Sequence, residues 1–164
     1  MSCPRRLAET ALLARSGNAS SNSISAFAAT PRGLRLIGTI GSGGTDPDSV
    51  TIAGDHLVYV LNADSKTIAG FWLGYRGLRP IPGSVRPLGA GVLVPRQIQF
   101  TSDARVLVVD EGGSSTIDTF VVGPDETPGP GGHHAEHLPA PRFIRPNELT
   151  VCGASHTETL CSRK

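Results

Sequence analysis

Between residues 21 and 123 the chain alternates apolar and polar positions in short runs, each closed by Gly, Pro, Asn or Asp. The alternation predicts strands over residues 23–27, 34–40, 49–52, 67–73, 77–81, 96–100 and 116–122. Two further runs, 57–61 and 105–109, are almost continuously apolar, as expected of strands buried on both faces. No helical period interrupts them, so the class expected is all-β. Outside this zone the pattern fades. Residues 1–20 read as a poorly ordered segment in which 8–15 could form a helical turn or two. Residues 124–164 open with a Pro/Gly-rich stretch and read as a disordered tail.

The middle zone repeats. Ile-x-x-Phe occurs at Ile24/Phe27, Ile68/Phe71 and Ile117/Phe120, at spacings of 44 and 49 residues. Gly33-Leu34-Arg35 recurs as Gly77-Leu78-Arg79, and Pro47-x-x-Val50-x-Ile52 as Pro95-x-x-Ile98-x-Phe100. Each full unit is a Pro-led short strand, a buried run, an Ile-x-x-Phe strand and a Gly-Leu-Arg outer strand. Four strands per repeat of this length are the signature of a β-propeller blade. The expected fold is therefore an incomplete β-propeller of two to three blades of four-stranded antiparallel sheet, with disordered termini. A ring closes with about four to eight blades. A shorter stack leaves open apolar faces, so self-association or aggregation through those faces is expected.

Composition agrees with a turn-rich β fold: Gly 20 and Pro 13 of 164 residues, with 38% hydrophobic and 18% charged. A net charge of +1 gives no electrostatic footprint for nucleic acid, and no apolar run is long enough for a membrane helix. The apolar start is interrupted by Glu9, Thr10, Arg15 and Ser16, so it is not a convincing signal peptide, and the default is a soluble, cytoplasmic protein. Cys3, Cys152 and Cys161 lie in the terminal segments at spacings that fit neither a zinc knuckle nor a redox CxxC.

Residues 57–63 (Leu-Val-Tyr-Val-Leu-Asn-Ala), Ile68-Ala69-Gly70-Phe71 and Pro82-Gly83-Ser84-Val85-Arg86-Pro87-Leu88 resemble the seven-bladed lactonase family, which includes 6-phosphogluconolactonase-like and carboxymuconate-cyclase-like proteins. A second unit is similar to it as well: residues 95–103, Leu107-Val108-Val109-Asp110-Glu111 and Thr116-Ile117-Asp118-Thr119-Phe120. The resemblance covers about residues 18–123 and lapses at both borders, which suggests out-of-frame reading of GC-rich DNA there. It implies a truncated lactonase-like propeller without activity of its own. The alternatives are a lactone hydrolase or cyclase formed when oligomerisation completes the ring, and a binding scaffold without chemistry. It implies a small lactone or sugar-acid ligand and no cofactor.

Candidate chemistry is sparse. Glu111 stands at the end of a buried run, where a propeller strand can face its ligand channel. With Arg96 it could supply a base and an anion clamp, but a solvated turn is the favoured reading. His133-His134-x-x-His137 would place His133 and His137 on one face of a helix at metal-binding spacing, but the surroundings are Gly/Pro-rich and no native metal site is expected. Gly41-Ser42-Gly43-Gly44-Thr45 reads as a blade connector rather than a phosphate cradle, because it lacks the Gly-Lys-Ser/Thr ending. Trp72 and Tyr75 read as packing or edge residues. No Gly-x-Ser-x-Gly elbow is present.

Overall fold

The computed structural model describes residues 10–15, 21–113 and 116–135. They form strands alone, in three antiparallel sheets. The first sheet is β1 (Thr10–Arg15), β2 (Ser23–Thr30) and β3 (Gly33–Gly41). The second is β4 (Pro47–Ala53), β5 (Leu57–Asn62), β6 (Thr67–Gly74) and β7 (Gly77–Pro80), with the two-residue β8 (Arg86–Pro87) further along the outer edge of β6. The third is β9 (Pro95–Phe100), β10 (Val106–Glu111), β11 (Thr116–Val121) and β12 (Gly132–Ala135). Each sheet is a propeller blade, and the three pack face to face without closing. Among the described residues no helix is long and apolar enough to cross a membrane.

Alternation along β5 shows how the blades hold together. Every residue from Leu57 to Asn62 is buried, but successive side chains go to opposite partners. Val58 and Val60 join Ile24, Ala26, Ala69 and Phe71 in a core between blades one and two. Leu57, Tyr59 and Leu61 join Ile98, Leu107, Val109 and Phe120 in a core between blades two and three. Burying each large side chain contributes roughly 1.5–3 kcal/mol, so the middle blade is anchored from both sides. The inner strands β4 and β9 lie together, with the Ile98 N–H donating to Ser49 Oγ at 3.2 Å and the Phe100 N–H to Thr51 Oγ1 at 3.3 Å.

The repeat extends to single hydrogen bonds. The Leu73 N–H donates to the His56 carbonyl at 2.7 Å, and 49 residues on the Val122 N–H donates to the Arg105 carbonyl at 2.8 Å. The pairs Asn62↔Thr67 and Glu111↔Thr116 close their hairpins in the same register.

Three strands lie beyond the nine expected. Residues 10–15, read as a helical turn, form β1 and pair along β2 from Thr10↔Ala29 to Arg15↔Ile24. The sheet edge offers backbone partners that an isolated helix of this length would lack. β8 and β12 carry no strand signature of their own, and the open edges of β6 and β11 recruit them. The sequence assigns 124–164 to a disordered tail. Residues 124–131 instead form the wide connection from β11 to β12, with a Val122↔Pro128 bridge and the Gly129 N–H donating to the Val121 carbonyl at 2.8 Å. Residues 136–164, with His137, Cys152 and Cys161, lie outside the described residues, as does Cys3.

Candidate functional site

The blade ends differ. One end carries the hairpins from Ala53 to Leu57 and from Phe100 to Val106. The other carries the ends of β5 and β10 and the connections between blades, 41–46 and 88–94. Among the described residues, the buried carboxylates Glu111 and Asp118 lie at this second end.

Glu111 ends β10, Asp118 lies in β11, and His133 in β12. Antiparallel register sets Asp118 directly opposite His133 and Glu111 opposite Thr116, so all three side chains share one face of blade three, turned toward blade two. Glu111 is fully buried and Asp118 is 1% exposed, while the His133 side chain is 36% exposed. His133 Nδ1 lies 2.6 Å from Asp118 Oδ1 and 4.0 Å from Glu111 Oε1. The second oxygen of each carboxylate is held from outside the cluster. The Thr116 hydroxyl donates to Glu111 Oε2 at 2.5 Å, and the Gly89 N–H of the blade connection donates to Asp118 Oδ2 at 2.6 Å. That approach requires glycine, because a Cβ on Gly89 would lie 2.9 Å from Asp118 Oδ1 and closer still to His133 Nδ1. The Asp118 carboxylate raises the His133 pKa, first through their hydrogen bond. This carboxylate–histidine arrangement can hold and pass a proton, and its donors lie close enough to share a cation.

The sequence candidates therefore divide. Glu111 and His133 meet, although they come from different strands and carry separate signals in the sequence. Arg96 goes elsewhere. Its exposed side chain lies across Gly112, where an added Cβ would sit 2.9 Å from Arg96 Cγ, and its charge acts on Asp110. Burial raises the Asp110 pKa and Arg96 partly offsets the rise. His134 alternates to the other face of β12. Asp118 went unnoticed in the sequence. The repeat could have found it: 49 residues earlier stands Ala69, just as Asn62 stands 49 before Glu111.

The connector 41–45 does in blade two what the 88–94 connection does in blade three. Ser42 is buried, its carbonyl accepts a hydrogen bond from Asn62 Nδ2 at 3.2 Å, and a Cβ on Gly43 would lie 2.8 Å from that of Ala69. It packs as a connector.

Solved structures share this architecture. A functionally unknown protein from Desulfotomaculum acetoxidans superposes with a TM-score of 0.64 at 20% identity, over 77% of this chain and 39% of the other. An inferred 6-phosphogluconolactonase from Bacteroides uniformis gives 0.61 at 23% identity, over 80% and 41%. The periplasmic gluconolactonase of Pseudomonas aeruginosa gives 0.58 at 20% identity, over 70% and 34%. The chain shares the β-propeller fold of these structures over part of their length. It spans between about a third and two fifths of the length of these structures. No protein-family model and no curated protein matches it.

Proposed function

We propose that these blades are part of a lactonase-like ring, that the chain alone hydrolyses no lactone, and that a small cyclic ester of a sugar acid is turned over only when a ring is completed. The observation that carries this reading is a stack of three blades, among the described residues, on a fold shared with lactonases over part of their length. Leu34 and Leu36 are 57% and 54% exposed on the outer side of blade one, and Val121 is 65% exposed on blade three. Further copies of this chain, or other chains, would cover such faces, and the resemblance implies seven blades in all.

In that ring the second blade end is the ligand end. The Glu111–Asp118–His133 group takes the proton of an attacking water. The water oxygen bonds to the ester carbonyl carbon, the ring C–O bond breaks, and the leaving oxygen takes up a proton to give the open hydroxy acid.

The test is acid release from aldonic δ-lactones, with and without a phosphate group, followed at neutral pH on size-separated fractions of the purified chain. The monomer fraction should stay at the spontaneous rate. A monomer that exceeds it, and loses the excess on His133→Ala, would overturn the ring requirement.

A further inference from the structure

The Glu111–Asp118–His133 group has a feature that proton transfer alone does not require. Two carboxylates buried between sheets are costly unless a cation sits with them. The fold does not demand them, since the matching positions of blade two hold Asn62 and Ala69, both buried, in the same register. Blade three carries two acids where its neighbour carries an amide and a methyl group. Each acid is also oriented from outside: Thr116 and Gly89 each hold one oxygen, and the other oxygen of each acid faces His133 Nδ1. Neutral donors that anchor the far oxygen of a ligating carboxylate are the usual outer support of a metal site.

We infer that Glu111, Asp118 and His133 form a binding site for one divalent first-row transition ion, zinc or manganese, with open coordination positions on the exposed side of His133. The donor set, two carboxylate oxygens and one imidazole nitrogen, suits these borderline ions. The three donor atoms lie within 4.8 Å of one another. Ligand atoms about 2.1 Å from a tetrahedral ion stand about 3.4 Å apart. The 2.6 Å and 4.0 Å separations bracket that value. Inserting the ion replaces the proton between His133 and Asp118 and needs only a small shift of a half-exposed side chain on the edge strand β12. The inference does not depend on lactone hydrolysis.

The test is calorimetric titration of the metal-free full chain with zinc chloride and with manganese chloride, with metal content measured after dialysis. One ion per chain is expected with at least one of the two metals. Glu111→Gln and Asp118→Asn, which keep shape and remove charge, should each weaken binding at least tenfold. The double variant His134→Ala/His137→Ala should bind as the parent does. If the acid variants fail to fold by circular dichroism, His133→Ala decides, since it alters a half-exposed residue: it must lose the ion while the double variant keeps it. A folded parent that binds no ion, or binding lost with His134 and His137 but kept in the acid or His133 variants, would overturn the site and leave adventitious histidine binding.

Discussion

Glu126 sits at a turn the sequence marks only as Pro/Gly-rich, with a left-handed backbone of φ 61°. Its carboxylate accepts from Trp72 Nε1 at 2.5 Å and meets His56 Nε2 at 2.7 Å, and its carbonyl accepts from the Tyr59 hydroxyl at 2.7 Å. One residue of blade three thus ties three residues of blade two at the end opposite the candidate site. Glu126→Ala removes two side-chain bonds and should cost about 1–3 kcal/mol, read from urea unfolding. The clasp depends on pH. Hydrogen bonding to Glu126, then to Asp55, raises the His56 pKa, so that contribution is complete below the ordinary histidine value of 6.5 and is lost as pH rises through the folded value. Hydrogen bonding to His56 and Trp72 lowers the Glu126 pKa, so its contribution is complete above 4.5 and is lost as pH falls through the folded value. The clasp should be strongest between pH 4.5 and 6.5. His56→Gln should flatten the upper side of the profile, and a melting-temperature series that keeps its upper slope in this variant would contradict the assignment.

At the scale of the element, β6 shows how one strand can carry a broken partner. β7 covers its edge at Phe71–Gly74 and β8 covers it at Thr67 and Ile68. In the gap Ser84 Oγ accepts from the Gly70 N–H at 3.0 Å and donates to the Ile81 carbonyl at 2.7 Å. Ser84 is buried, so Ser84→Ala leaves Gly70 with an unmet donor and should cost about 1–3 kcal/mol. A change in denaturation midpoint at constant slope would report it, and an unchanged midpoint would contradict the bridging role.

The same strand marks what was legible beforehand. Ile68-x-x-Phe71 and the all-buried β5 could be read because each position's burial follows from alternation and doubled packing. β8 and β12 could not, because two and four residues without β-branched or aromatic side chains have no pattern to show. Glu111 was visible as a charge at a strand end. Its partners were not, because pairing with Asp118 and His133 depends on the β11–β12 register, and β12 follows a connection whose composition signals only turns. Glu126 was hidden for the same reason.

Across the described residues, the interfaces on either side of β5 are closed, while Leu34 and Leu36 on blade one and Val121 on blade three are exposed. Leu34→Lys with Leu36→Lys places like charge on the outer side of blade one and should reduce the proposed self-association without loss of fold. Light scattering with circular dichroism would check both, and an unchanged mass distribution would move the contact elsewhere. The blades form a stack of three with the second in the middle. Hydrogen exchange reads this order. Amides of β5 and the neighbouring part of β6 should exchange slowest, because both faces are packed, with β10 next and the β1 and β12 edges fastest. Slowest exchange in β2–β3 or β11–β12, or uniform exchange across the three sheets, would contradict it.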